Sequence, residues 1–444
     1  MSMKIGKTQL VQYILIIMLF LWHNSGIILA IGSSYYFYFS LAVCAGVMLW
    51  RKRTIQQKAF LFVGAITVNV ILVRLLSGGA GVSIIIKWAS SIFLTYTAVY
   101  IDKNKFIERF VKVVAFFAVM SIFMWVITLI APNIFIATSL YSYVPYSTKY
   151  WLSGETFRWI ATTYYGNPFF VMRVGNELSR NNGVFNEPGL YQIVLNTALF
   201  ALLYYEEKIQ LNENKKNKLV AIIVIAIITC QSTTGYIGMA ALFLGVLVSS
   251  NHGKKTKILG SVALIAAACS VDFIVNGSES LIMTTIGARL FASNGGFELN
   301  KSSFARVETM VIAMQSIVKK PLGVGFDNFQ QMIEIAGKTS SDGAGLFAFA
   351  TALGIEIIII IFVFVILPIT KYHKSAAISI VAIFLYINTV SGQSDVFYPA
   401  LLVLALPIWK DMYPEKKEYR EKAINEGFMV NASENPSNRF DRRK

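Results

Sequence analysis

Long apolar runs separated by short polar segments are the main pattern of the chain. An α-helix needs about 20 predominantly apolar residues to cross about 30 Å of hydrocarbon, and most of the runs approach that length. They predict an all-α polytopic integral membrane protein with about 12 transmembrane helices. The predicted helices cover residues 9–31, 33–50, 59–77, 81–101, 110–131, 187–205, 219–231, 233–250, 258–275, 344–370, 375–391 and 396–410.

Lysine and arginine predict the orientation, because short loops rich in these residues stay on the cytoplasmic side. The basic clusters all fall on one side of the alternating helices, so both termini are predicted to be cytoplasmic. The clusters are Lys4 and Lys7, Arg51 to Arg53, Lys103 to Lys112, Lys208 to Lys218, Lys254 to Lys257, Lys371 to Lys374 and the residues from Lys410 onward.

This topology divides the chain into six parts and predicts a multi-pass protein of the cytoplasmic, or inner, membrane. The parts are helices 1 to 5 (1–131), a long outer loop (132–186), helices 6 to 9 (187–275), a second long outer loop (276–343), helices 10 to 12 (344–410) and a cytoplasmic tail (411–444).

Composition agrees with a membrane location. Hydrophobic residues make up 55% of the chain and charged residues 14%, whereas soluble proteins carry about 25% charged residues. The net charge of +16 comes mainly from the cytoplasmic clusters, so no nucleic-acid partner is expected. Cys44, Cys230 and Cys269 lie in apolar segments with no neighbouring histidine, and no metal site is expected.

Residues 219–250 are apolar except for QSTTGY at 231–236. Basic segments flank both ends, so two short helices are predicted to turn near STTG at the outer surface. Either this is a simple tight turn, or it is a broken helix that lines an aqueous cavity.

The second outer loop contains a predicted amphipathic helix. Phe304, Val307, Val311, Met314 and Val318 recur at helical spacing, and the sequence KKPLGVGFDNF (319–329) then ends the helix. This helix is expected to lie on the membrane surface or against the bundle.

Five arginines lie in the two predicted outer loops. A guanidinium group stays charged and binds phosphate oxygens through paired hydrogen bonds, which suits a lipid-linked phosphate or pyrophosphate. The alternative is that they pair with loop glutamates or lipid headgroups. The five are Arg158, Arg173, Arg180, Arg289 and Arg306.

The stretch SRNNGVFNEPGLYQ (179–192) leads from the first loop into an apolar run. Proline is favoured in the first turn of a helix, so Pro188 places Glu187 at or just before a helix N-terminus. The carboxylate there either caps the helix, where the helix dipole favours it, or acts as a base in a pocket shared with Arg180.

This stretch resembles the Arg-x-x-Gly-x-Phe-x-Glu-Pro-Gly segment of the Wzy-type polysaccharide polymerases, which act in capsule, exopolysaccharide and O-antigen assembly. QSTTGYIGMAAL (231–242) is similar to the start of the next helix in that family and in the related O-antigen ligases. ARVETMVIAMQSIVKKPLGVGFDNF (305–329) resembles their outer-loop pattern. The ligases carry a functional histidine in the second outer loop, and residues 276–343 contain none, which favours a polymerase.

The resemblance implies a membrane glycosyltransferase that joins undecaprenyl-pyrophosphate-linked oligosaccharide repeat units at the outer face, in contact with membrane lipid. No cofactor or metal is expected, so positive side chains must neutralise the departing pyrophosphate. A chain-length regulator and a flippase are compatible partners. The expected catalytic residues are Glu187, Arg180 and Arg306, and the expected substrate-binding residues are Arg289, Arg158 and Arg173.

Two other functions remain open. An O-antigen-type ligase would transfer the finished glycan to another acceptor. A flippase for lipid-linked oligosaccharides would need charges deep in the bundle, and the sequence shows no internal repeat of the kind that transporters contain. The deep charged candidates are Arg74, Lys87, Glu356 and Asp395.

Overall fold

The structure, a computed structural model, describes residues 6–22, 24–51, 57–78, 81, 83–144, 147–152, 156–161, 163–174, 180–205, 209–249, 301–335, 345–372, 375–392 and 395–405. All of them belong to one unit, Met1–Ile408, and a second unit, Trp409–Lys444, lies outside the described ranges. The predicted helix over 258–275 also lies outside these ranges.

Helices make up most of the described chain, and several follow the predicted apolar runs to within a few residues. The first group comprises α1 (Lys7–Leu21), α2 (Gly26–Ile31), α3 (Ser33–Trp50), α4 (Gln57–Ser77), α5 (Ser83–Ile101), α6 (Phe106–Ile130), α7 (Pro132–Ala137), α8 (Pro188–Tyr204), α9 (Glu213–Cys230) and α10 (Thr233–Ser249). The second group comprises α11 (Lys301–Lys319), α12 (Phe326–Ile335), α13 (Gly345–Leu353), α14 (Glu356–Ile361), a π-helical turn (Phe362–Ile366), α15 (Leu367–Tyr372), α16 (Ala376–Gly392) and α17 (Pro399–Leu404).

Four described helices, α3 to α6, are long and apolar enough to cross a membrane, and α13 with the helix after it makes a fifth if the bent pair is one span. Large apolar side chains stay exposed along them, including Leu49 at 79%, Leu75 at 80% and Ile130 at 79%. Such a surface suits lipid better than water. The protein is therefore a largely helical membrane protein, and the number of twelve spans stays a prediction.

Helix α8 is the most enclosed of the long helices in the described part of the chain. Every residue from Leu190 to Leu202 is buried, and the helix packs against α6, α9, α10 and α17. A helix that is apolar around its whole circumference belongs inside a bundle. Its N-terminal end, which follows Glu187, is therefore held by packing.

Residues 9–31 do not form the single helix that their apolar pattern predicts. Helix α1 ends at Leu21 and α2 begins at Gly26. Trp22 leaves the helical conformation, and its indole Nε1 donates a hydrogen bond to Asp395 Oδ2 at 3.4 Å. Asp395 is remote from Trp22 in the sequence, so the local apolar pattern does not predict that the helix ends there.

The helix predicted over 344–370 is also interrupted, because α13 and the helix after it meet at 119°. The carbonyl oxygens of Thr351 and Ala352 accept hydrogen bonds from the amides of Val324 and Gly325, both at 2.9 Å. These carbonyl groups therefore accept hydrogen bonds from the segment after α11. They do not accept the bonds from later amides that would continue the helix.

The chain between α9 and α10 turns where the QSTTGY interruption predicts. Gln231 adopts the left-handed conformation, with φ 50° and ψ 47°. Tyr236 Oη donates a hydrogen bond to the Ile228 carbonyl at 2.9 Å across the turn. A tight turn therefore joins α9 to α10.

The first long loop contains five strands that the apolar pattern did not predict. They are β1 (Tyr141–Tyr143), β2 (Ser147–Leu152), β3 (Thr156–Ala161), β4 (Tyr164–Asn167) and β5 (Phe170–Arg173). Strands β1, β4 and β5 form one antiparallel sheet in that order, and β2 pairs with β3. The Tyr141 hydroxyl donates to the Asn167 carbonyl at 3.2 Å. Burial raises the pKa of Tyr141, so the phenol stays a neutral donor.

Candidate functional site

Residues 181–186 form a buried turn between the first long loop and α8. The side-chain amide of Asn181 donates hydrogen bonds to Thr229 Oγ1 at 2.9 Å and to Ser121 Oγ at 3.3 Å. Its Oδ1 accepts from the Gly183 amide at 2.9 Å. Asn181 therefore fixes the turn to both α6 and α9.

Gly183 is required by both the conformation and the packing of this turn. Its φ of +55° lies in the left-handed region that favours glycine. A Cβ atom at this position would lie 2.6 Å from the ring of Tyr191. Tyr191 is itself held by a hydrogen bond of 2.9 Å between its hydroxyl and Ser121 Oγ. The glycine of NNG therefore lets the turn lie directly against α8.

The turn also joins α2 to β5. Its carbonyl groups accept hydrogen bonds from the Gly26 amide at 2.8 Å and from the Val171 amide at 2.7 Å. Ser25 forms an isolated antiparallel bridge with Phe185. Arg173, the last residue of β5, therefore lies on a strand that the same turn holds.

Arg180 and Glu187 lie at the two ends of this turn, and both are partly exposed. Glu187 is the N-cap residue of α8 and Pro188 is the first helical residue, which confirms the predicted position. The Glu187 side chain makes no capping hydrogen bond, so the capping role that remains for the carboxylate is its charge beside the helix dipole.

Three buried polar atoms around the turn have no hydrogen-bond partner among the described residues. They are Ser25 Oγ, Asn182 Oδ1 and Asn186 Oδ1. An unsatisfied buried polar group costs about 1–3 kcal/mol, and such groups usually meet water or a ligand. These atoms are therefore the polar groups around the turn that a water molecule would satisfy.

The predicted amphipathic helix of the second loop is confirmed as α11. It packs on α13 through a small-residue face, where Thr351 Oγ1 donates to the carbonyl of the buried Ala313 at 3.1 Å. The predicted apolar stripe stays exposed among the described residues, with Met314 at 49% and Val318 at 83%. The helix can thus contact the bundle and lipid at the same time.

The other predicted arginines are placed only in part. The backbone of Arg306 lies in α11 and that of Arg158 lies in β3, whereas their side chains and the whole of Arg289 fall outside the described structure. Arg180 and Glu187 lie at the two ends of the 181–186 turn, and Arg173 ends the strand that bonds to it. Their convergence with the remaining three arginines stays a prediction.

Two charged residues that sequence analysis left separate form an ion pair in the structure. Lys87 Nζ lies 3.2 Å from Asp395 Oδ2, and the side chains are 19% and 2% exposed. Trp22 Nε1 donates to the same carboxylate oxygen. The Ser25 amide donates to the Trp22 carbonyl at 3.1 Å, which links the pair to the segment that binds the 181–186 turn. No local sequence signal connects residues 87 and 395.

The region places a guanidinium group and a carboxylate at the two ends of one turn. Arg180 supplies a guanidinium group for phosphate oxygens, and Glu187 supplies a group that can accept a proton. Within the described ranges, no group of three or more His, Cys, Asp and Glu residues could hold a metal ion.

Replacing Asn181 by alanine should loosen the turn. The substitution removes the bonds to Thr229, Ser121 and Gly183, so the free energy of unfolding should fall by about 2–3 kcal/mol. Denaturant titration in detergent micelles measures this change. Asn212→Ala is the matched control, because that side chain makes one exposed capping bond to the Lys215 amide and should cost about 1 kcal/mol. Equal losses in the two variants would contradict the anchoring role of Asn181.

The resemblance to the polymerases rests on the sequence motifs, whose residues form the turn at the start of α8 and the segment that interrupts α13. No family model, curated protein or solved structure matches the chain.

Proposed function

We propose that this protein polymerises undecaprenyl-pyrophosphate-linked oligosaccharide repeat units at the outer face of the cytoplasmic membrane, within a bundle of twelve spans. The observation that carries the proposal is the placement of Arg180 and Glu187 at the two ends of one buried turn. A cation and a carboxylate, placed at the two ends of one buried turn, suit a reaction that stabilises an anion and removes a proton.

Arginine would supply the positive charge in this mechanism. Arg180 and Arg306, with Arg289 as a third residue, would bind the pyrophosphate of the donor through charge-assisted hydrogen bonds. These bonds strengthen as negative charge develops on the leaving group, so they lower the barrier. Arg158 and Arg173 would line the path of the acceptor, and β5 attaches Arg173 to the same turn.

Glu187 would act as the general base. It takes the proton of the acceptor hydroxyl while that oxygen forms a bond to the anomeric carbon of the donor. The bond between the anomeric carbon and the pyrophosphate oxygen breaks, and undecaprenyl pyrophosphate leaves with the electron pair. One direct displacement inverts the anomeric configuration. Asn182 and Asn186, whose Oδ1 atoms lack partners, would accept hydrogen bonds from sugar hydroxyl groups.

The lipid-linked saccharide pool of a deletion strain tests this proposal. Loss of the polymerase should leave single repeat units on the outer face of the membrane, and a plasmid copy of the parent gene should restore long chains. The pool is measured by mass spectrometry of extracted lipids, and its sidedness by treatment of intact cells with a glycosidase.

Two other results would reject the polymerase in favour of a different function. Single repeat units that accumulate on the inner face would indicate a flippase. Long chains that form normally but never reach their final acceptor would indicate a ligase.

A further inference from the structure

We infer that Lys87 is a further phosphate-binding residue of this site, and that Asp395 is the positioning residue that holds its ammonium group. The inference rests on the proposed function, because it assigns the lipid-linked pyrophosphate to the same end of the bundle. Lys87 lies in the second turn of α5, and Asp395 lies shortly before α17.

The Lys87–Asp395 pair is unequally enclosed. The Asp395 side chain is 2% exposed and that of Lys87 is 19% exposed, so the carboxylate is inside and the ammonium group lies at the edge. An ammonium group has three N–H donors, and the contact of 3.2 Å with Asp395 Oδ2 needs only one of them. The others can bind an anion that approaches from the accessible side.

The carboxylate is held firmly enough to position the lysine. Trp22 Nε1 donates to Asp395 Oδ2 at 3.4 Å. The chain just after Asp395 is fixed as well, since Tyr386 Oη donates to the Val396 carbonyl at 2.8 Å and Ser91 Oγ donates to the Phe397 carbonyl. The ammonium position is therefore set by three elements: α5, α16 and the end of α1.

A contribution to folding stability is a weak explanation for the presence of this ion pair. A buried ion pair is often no more stabilising than apolar residues of similar volume, because desolvation offsets the attraction between the charges. A partly exposed lysine on an enclosed aspartate is instead a suitable arrangement for presenting a fixed positive charge.

A series of contacts links the pair to the turn that carries Arg180 and Glu187. Trp22 contacts Asp395, the Ser25 amide bonds to the Trp22 carbonyl, and Ser25 bridges Phe185. A lysine is a compact cation for phosphate. The ligand class is therefore a lipid phosphate, and the two possible sources are the pyrophosphate carrier and the headgroups of bulk phospholipid.

Chemical labelling of the parent protein tests the inference without a substitution. The full chain in nanodiscs is treated with an amine-acylating reagent, and modification of Lys87 is followed by mass spectrometry. Saturating undecaprenyl pyrophosphate should slow the modification of Lys87 by about tenfold or more. Lys58, an exposed lysine at the other end of the α4–α5 pair, should be modified at an unchanged rate.

Phosphatidylglycerol in place of undecaprenyl pyrophosphate separates the two lipid sources. Protection by the carrier alone supports the inference. Equal protection by phosphatidylglycerol assigns Lys87 to lipid headgroups and overturns the role in donor binding. Absence of labelling, or labelling that neither lipid changes, overturns the inference as a whole.

Paired substitutions separate phosphate binding from a structural role. Lys87→Met combined with Asp395→Asn removes both charges together, and Lys87→Asp combined with Asp395→Lys reverses the pair. Both variants should raise KM for the lipid-linked donor by about tenfold or more, while Lys87→Arg should stay within about threefold of the parent. Arg74→Gln, which removes an exposed cation from the last turn of α4, is the control.

Parental KM in the neutral and reversed pairs would show that the ion pair is only structural. Failure of the proposed function gives a different result, because the parent itself would then form no polymer. The labelling experiment remains decisive if the paired variants do not fold.

Discussion

Glu187→Gln should reduce the rate of polymer formation by about 10²- to 10⁴-fold, the range for loss of a general base. The amide keeps the shape of the side chain but cannot take the proton of the acceptor hydroxyl. The start of α8 should change little, because the parent carboxylate makes no capping hydrogen bond and the helix dipole contributes only about 0.3–1 kcal/mol. Polymer length in complemented cells and single-turnover rates in proteoliposomes measure the effect.

Glu213→Gln is the matched control for this substitution. Glu213 is an acidic residue at the N-terminal end of another long helix, α9, where it lies in the first turn, and its side chain is 71% exposed. The variant should lose a similar helix-dipole contribution and keep the parental rate. Parental polymer length in Glu187→Gln, at normal expression, would exclude Glu187 as the base.

Local sequence patterns predicted the parts of the fold that local forces determine. The N-terminus of α8 follows from Pro188 and α11 follows from its helical apolar repeat. The end of α9 follows from the polar break at Gln231. In each case the residues that set the conformation are within about one helical turn of the feature.

The strands of the first loop were missed for a different reason. Tyrosine, phenylalanine, tryptophan and threonine dominate residues 141–173, and these residues favour strands. In a membrane protein the same aromatic residues also mark the lipid interface, so their presence does not separate the two roles. Pairing of β1 with β4 depends on contacts more than 20 residues apart.

Remote contacts decided the remaining differences between sequence and structure. The break at Trp22 and the Lys87–Asp395 pair both depend on Asp395, which no nearby residue identifies as a partner. The bend between α13 and α14 depends on amides that follow α11. The candidate site was therefore predictable as a motif, whereas its supporting contacts required the fold.

Gly323→Ala should be strongly destabilising, with a loss of about 3–5 kcal/mol. Gly323 has φ +91°, where a side chain costs about 1–2 kcal/mol. The new Cβ would lie 2.6 Å from the Gly354 amide nitrogen and 2.8 Å from the Ala352 carbonyl oxygen. Both neighbours are backbone atoms, so a rotamer change cannot relieve the contact. The free energy of unfolding in detergent micelles measures the loss.

Gly78→Ala separates the conformational cost from the steric one. Gly78 has a similar φ of +75°, but no atom lies within 4 Å of the position of a new Cβ. It should lose only about 1–2 kcal/mol, and the difference between the variants is the cost of separating residues 320–325 from α13. Because that contact holds the segment that follows α11, Gly323→Ala should also lower polymerisation more than Gly78→Ala does. Equal losses of stability in the two variants would show that the close approach of Gly323 to α13 contributes nothing.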